Sequence, residues 1–191
     1  MRKGIITLLA VLFALFANAQ TSLKKVYNED INPLEQIDQA VVKAKAEGKF
    51  VICQVGGNWC PWCLRFADFI TNDSAISKVI SDNFEYIHVN YNPRKSVGER
   101  LRVGEQSSGI AKAHQAAALM KRLDNCGRFG FPVFVVLDEE GTVIHIQDSS
   151  FLEGRGPETN ECLGEGDQEQ GYNKEKVLRF FKNWTPKAVN Q

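Results

Sequence analysis

The chain has 191 residues with 23 basic and 23 acidic side chains, a balance that leaves no electrostatic footprint for nucleic acid or an anionic membrane surface. Its five cysteines are too sparse for a disulfide-stapled miniprotein, so the fold must rest on an apolar core. The length suits one domain rather than two.

Residues 1–19 read as a secretory signal: Arg2 and Lys3 precede an apolar stretch from Ile5 to Phe16, and Ala17-Asn18-Ala19 forms an A-x-A cleavage site. A membrane anchor is the alternative, but the stretch falls short of the roughly 20 residues a spanning helix needs, and no cysteine follows to take a lipid. The mature domain would run from Gln20 to Gln191, exported to the periplasm or secreted, without a membrane span. Loss of Arg2 and Lys3 lowers the bases from 23 to 21 against 23 acids, a formal charge of −2. Cysteines 53, 60, 63, 126 and 162 all lie in this part, where disulfides can persist, and their odd number leaves at least one unpaired.

Asn32-Pro33 can cap and open a helix, Leu34, Ile37, Val41 and Ala44 recur at helical spacing, and Gly48 supplies a stop, which predicts a helix over 33–47. Phe50, Val51, Ile52 and Val55 form the apolar run of a buried strand that delivers the chain through Gly56-Gly57 to Cys60. Leu64, Phe66, Ile70, Ile76, Val79 and Ile80 predict helix from 60 to about 83, with a break or second cap at Asn72-Asp73-Ser74. A strand from Phe84 to Tyr91 completes a crossover unit, whose strands usually pair in parallel.

Residues 92–109 read as irregular, and Ile110 to Leu123 as a helix. Phe131–Leu137, the turn Asp138–Gly141 and Thr142–Gln147 predict a β-hairpin. Residues 149–171, rich in glycine and acids, read as a long solvated loop insertion. Lys174 to Trp184 predicts a closing amphipathic helix that buries Val177, Leu178, Phe181 and Trp184.

The chemistry lies in Gly56-Gly57-Asn58-Trp59-Cys60-Pro61-Trp62-Cys63. Unpaired amides and the positive end of the dipole at a helix start favour a thiolate at Cys60. Cys63, one turn further on, can form or open a disulfide with it, and Pro61 stands where the helix needs no N–H. The pair reads as a redox switch with Cys60 as nucleophile and Cys63 as resolving thiol. Half of a zinc site is the competing reading, but neither a second CxxC nor a paired-histidine motif supplies the other ligands from Cys126, Cys162, His88, His114 or His145.

Val51 to Arg65, Phe129-Gly130-Phe131-Pro132-Val133 and the hairpin that follows resemble the thioredoxin family, most closely its exported, disulfide-isomerase-like members with a Trp-Cys-x-x-Cys site. The resemblance extends over most of 33–184 and implies an α/β thioredoxin-like fold, a central mixed β-sheet flanked by helices. It further implies a cis proline at Pro132 facing the dithiol, with the backbone of Phe131 free to pair with an extended substrate. Trp59, Pro61 and Trp62 would flank the cysteines as part of the same substrate surface. A trans proline at a strand start and a core tryptophan are the alternatives for Pro132 and Trp59.

Two positions depart from the family. Six residues before Cys60, where reducing members commonly carry a buried acid that takes the proton of the resolving cysteine, this chain has Gln54, which cannot act as a base. Proton removal from Cys63 would then rely on water, on another side chain such as Glu85 or Asp68, or on a slower step. Pro61-Trp62 also replaces the Gly-Pro of ordinary thioredoxins, and direction cannot be read from the motif, since family potentials span about −270 to about −120 mV.

Cys53 reads as a small apolar core residue. Cys126 and Cys162 could pair, although sequence does not fix connectivity. His88, His114 and His145 read as structural, and the acids of 153–169 as solvated. The expectation is an exported thiol:disulfide oxidoreductase, with reductase or isomerase favoured over oxidase. It would need no cofactor, would act on protein thiols and disulfides, and would depend on a redox partner protein. A peptide-binding module with a permanent structural disulfide is the alternative.

Overall fold

The computed structural model describes residues 23–92, 115–154 and 171–191. The expected signal, residues 1–19, lies outside them, as do all but the first residue of the segment 92–109 expected to be irregular, the start of the helix expected from Ile110, and most of the expected acidic loop. Among the described residues no helix is long and apolar enough to cross a membrane.

Helix α1 spans Pro33–Glu47. The Asn32 side chain accepts from Leu34 N–H, and Gly48, at φ 65°, donates its N–H to the carbonyls of Ala44 and Lys45. A left-handed cap of this kind is open to glycine at little steric cost. Strand β1 (Phe50–Gly56) is buried throughout. Helices α2 (Pro61–Asn72) and α3 (Ser74–Asn83) meet at Asp73, which closes the first with its backbone and caps the second by accepting from Ala75 and Ile76 N–H. Strand β2 (Phe84–Asn90) then pairs in parallel with β1.

Helix α4 is described over 115–122. A 3₁₀ turn, Cys126–Phe129, leads to β3 (Val133–Leu137), which is antiparallel to β1, and β4 (Val143–Asp148) is antiparallel to β3. The sheet order is β2-β1-β3-β4, the mixed sheet flanked by helices that the sequence implies. A second 3₁₀ turn, Ser149–Leu152, and a bridge between Glu153 and Tyr172 give order to the two ends of the expected loop. Helices α5 (Lys174–Asn183) and α6 (Pro186–Val189) close the chain.

Alternation along β1 divides the core. Val51, Cys53 and Val55 pack against Ile37, Ala40 and Ala44 of α1, Leu119 of α4 and Leu123 just beyond it. Phe50 and Ile52 face Phe66 and Ile70 of α2, Ile76 of α3 and Phe181 of α5. The buried stripe of α5 is Val177, Phe180 and Phe181, whereas Leu178 and Trp184 are only partly buried against the same cluster. Phe180 completes this stripe because it meets Phe134 of β3, with ring centroids 5.8 Å apart.

Candidate active site

Buried β1 ends at Gly56, and a short turn places Cys60 as the N-cap of α2 with Pro61 at its first position. Cys60 and Cys63 are joined as a disulfide with Cα atoms 5.3 Å apart. The Cys63 N–H donates to Cys60 Sγ over 3.2 Å, the interaction expected of a sulfur seated on orphan helix amides. Cys60 keeps 4% of its surface exposed and Cys63 none, so an incoming sulfur meets Cys60 first.

The Phe131–Pro132 bond is cis, and Phe131 O lies 3.7 Å from Cys60 Sγ. No backbone bond to Phe131 N–H is formed among the described residues. Trp59 is 40% exposed. Its indole N–H donates to Tyr91 O (2.9 Å), and its ring stands edge-on to Phe131 at 5.6 Å. Trp62 is half-buried against Tyr172, whose hydroxyl donates to Trp62 O (3.3 Å), and the Arg65 guanidinium lies over the indole at 5.2 Å. The structure thus gathers Trp59, Pro61, Trp62, Phe131 and Pro132 around the cysteines.

Beneath the cysteines lies a polar network that the sequence shows only in part. Gln54, fully buried, donates from Nε2 to Cys63 O (2.8 Å) and to Tyr27 Oη (2.7 Å), and its Oε1 accepts from Tyr86 O–H (2.6 Å). A carbonyl only accepts, so Cys63 O fixes which end of the amide is nitrogen. Neither side chain named as a substitute base reaches this network. Glu85 pairs with Val51 in register, on the α1 face of the sheet, and forms an ion pair with Lys43 at 2.8 Å. Asp68 is exposed on the outer side of α2.

Tyr27 itself was not legible as a site residue. Asn58 holds the segment that carries it: Oδ1 accepts from Val26 and Tyr27 N–H (both 3.1 Å), and Nδ2 donates to Tyr27 O (2.8 Å). The clue was Asn58 in the Gly-Gly-Asn-Trp-Cys entry, but its partners lie 31 and 32 residues upstream.

His88, opposite Gln54 in the register, stands edge-on to Tyr27 and Tyr86, and its Nε2 has no partner among the described residues. A satisfied structural histidine was the expectation, and Nε2 lacks that satisfaction among the described residues. Burial pushes its pKa down to about 4, well below the ordinary value near 6.5. The unfolded chain therefore binds a proton below pH ~6.5 that the folded chain refuses down to about pH 4, so stability falls as pH drops through that window. Denaturant melts of wild type and His88→Phe are expected to diverge across it by about 3 kcal/mol, with the variant the less acid-sensitive.

Cys53 and Cys126 are buried free thiols. Burial raises both pKa values, that of Cys126 to about 11, so both stay protonated and unreactive. Cys53 is thus the core residue expected. Cys162 and His114 lie outside the described residues, and Cys126, a free thiol, does not enter the suggested pairing with Cys162. His145 stacks on Trp184 at 4.1 Å and pairs with Gln147 at 3.3 Å. Among the described residues, no group of three or more His, Cys, Asp or Glu is placed to hold a metal ion.

Residues 37–148, more than half of the chain, match the model of the Thioredoxin-like domain, and the chain belongs to that family: a fold of the disulfide-oxidoreductase type carrying a CxxC pair. Among solved structures it is similar to the disulphide isomerase from Xylella fastidiosa Temecula1, at 18% identity and a TM-score of 0.55 over 85% of this chain and 98% of that one. It is also similar to a structure described as DsbH Oxidoreductase, at 18% identity and a TM-score of 0.40 over 68% and 80% of the two chains. No curated protein matches the sequence.

Proposed function

We propose that this chain is an exported thiol:disulfide oxidoreductase that exchanges disulfides with protein substrates through Cys60 and Cys63. The observation that carries the reading is the asymmetry of the pair: Cys60 keeps a sliver of exposure, on the helix start, against Phe131 O, and Cys63 has none. Nucleophile and resolving thiol need just this division. A substrate disulfide is attacked by the Cys60 thiolate, giving a mixed disulfide and releasing one substrate thiol. Cys63 then attacks Cys60 Sγ, the internal disulfide forms, and the second substrate thiol departs with the electron pair of the broken bond.

The exposed edge of Trp59, the N–H of Phe131, which has no backbone partner among the described residues, and the half-buried Trp62 suit an extended polypeptide laid beside Pro132. In the reductase or isomerase direction, a redox partner protein returns the pair to the dithiol. Export rests on the signal-like residues 1–19 and implies a periplasmic or secreted setting.

Equilibration in glutathione buffers, with the other cysteines followed by alkylation and mass spectrometry, tests the reading. A potential between about −270 and −200 mV is expected for a reductase or isomerase, whereas one near about −120 mV makes the protein an oxidant. A pair that does not exchange leaves a binding module with a structural disulfide.

A further inference from the structure

The network under the disulfide leaves one proton unassigned. Both Gln54 Nε2 hydrogens are spent, on Cys63 O and Tyr27 Oη, and Gln54 Oε1 takes the Tyr86 proton. Tyr27 Oη therefore accepts from Gln54, and its own hydrogen points elsewhere. Gly56 shows where. The position a Cβ would occupy there lies 2.5 Å from Cys63 Sγ and 2.9 Å from Tyr27 Oη, so phenol oxygen and resolving sulfur flank the same bare backbone position within one buried cluster, with no hydrogen bond between them in the disulfide form.

We propose that Tyr27 is a catalytic residue of the resolving step, its hydroxyl donating a hydrogen bond to the Cys63 sulfur as that sulfur becomes a thiolate. The proposal rests on the exchange reading above. In the step, the Cys63 proton passes to water and the thiolate, held by Tyr27 O–H, attacks Cys60 Sγ. The bond from Cys60 to the substrate sulfur breaks, the Cys60–Cys63 bond forms, and the departing sulfur carries away the electron pair and takes up a proton. Tyr27 gives up no proton at any point.

The setting suits a donor. Tyr27 is buried, and burial holds its phenol pKa well above the ordinary value, so it stays protonated wherever a thiolate forms. Gln54 donating to Oη polarises the O–H and strengthens it as a donor. Asn58 fixes the backbone of Tyr27 on both its N–H and C=O, so no rotor entropy of a loose segment opposes the contact. The other titratable groups around the pair are Cys60 and Arg65 on α2, Tyr86 and His88 on β2, and Tyr172 ahead of α5, which in turn feels Glu153. Tyr86 is committed to Gln54, and His88, with its depressed pKa, is neutral at working pH. Tyr27 is the donor left.

The test is the reaction of the reduced full chain, in a Cys162→Ser background, with dithionitrobenzoate. A first thionitrobenzoate leaves as Cys60 is labelled, and a second as Cys63 resolves the adduct. The rate of the second phase against pH reports Cys63. A hydrogen bond to a charged group contributes about 1.5–3 kcal/mol, one to two pH units of midpoint, and the greater nucleophilicity of a more basic sulfur returns about half of that logarithm. Tyr27→Phe is therefore expected to raise the midpoint by at least about one unit and to slow resolution at neutral pH about three- to tenfold.

Fluorotyrosine at position 27, a stronger donor on the same ring, is expected to move the midpoint the other way. A Tyr27→Phe midpoint equal to wild type, whether the rate is unchanged or lowered at every pH, overturns the proposal, since lost packing alone would slow the step without moving it. If wild type releases no second equivalent, the exchange reading itself fails, and the proposal with it.

Discussion

Cys63→Ser is expected to accumulate a covalent adduct between Cys60 and protein substrates, stable on non-reducing gels and lost on reduction, whereas Cys60→Ser forms none. The reason is geometric. Cys60 is the sulfur a substrate reaches, and the group that would release the adduct is one helical turn deeper, fully buried. With serine there, the second displacement has no nucleophile, and turnover falls to the background rate of solution thiols. Cys53 and Cys126 do not rescue it, since burial keeps both as thiols. Recovery of the same adduct from Cys60→Ser would place the nucleophile elsewhere.

The largest loss of stability from a single polar residue is expected at Gln54. Gln54→Leu retains volume and apolar fit in β1 but strips Tyr27 Oη and Tyr86 Oη of their partner and takes the second hydrogen bond from Cys63 O. Cys63 O, inside α2, keeps its helical partner, but the two buried hydroxyls are left at a cost of about 1–3 kcal/mol each, so urea melts are expected to show a loss of about 2–5 kcal/mol. Gln54→Glu makes the contrast. Its carboxylate cannot donate to Cys63 O, so it regains stability only when protonated and is expected to be most stable at low pH. A Leu variant as stable as wild type would mean that the network is not closed as described.

Much of this architecture is local chemistry and therefore readable along the chain. Asn32-Pro33 and Gly48 bound α1, and Asp73 divides α2 from α3, because a cap is a bond between residues two to four apart. The dithiol is equally local, one turn of one helix, and Phe131-Pro132 stands in a sequence context the family makes recognisable. The parts that were not legible depend on residues distant in sequence. Phe180 is buried because Phe134 of β3 lies over it. Tyr27 enters the site because Asn58 reaches back some thirty residues for its backbone. Gln54 is visible as the absence of an acid, but its role is set by two tyrosines from separate segments. Glu85 and Asp68 fail as substitute bases because sheet register and helix face direct them away, and neither follows from proximity in sequence.

Asn58's grip on residues 26 and 27 also means that the active site reaches beyond the borders of the family match. A chain trimmed to the family match, 37–148, keeps every strand, both cysteines and Pro132, yet discards Tyr27 on one flank and Tyr172 on the other. Such a fragment would carry the dithiol without two walls of its chamber and without α5, whose Val177, Phe180 and Phe181 fill one half of the core, so the flanking segments complete the chemistry and the architecture together.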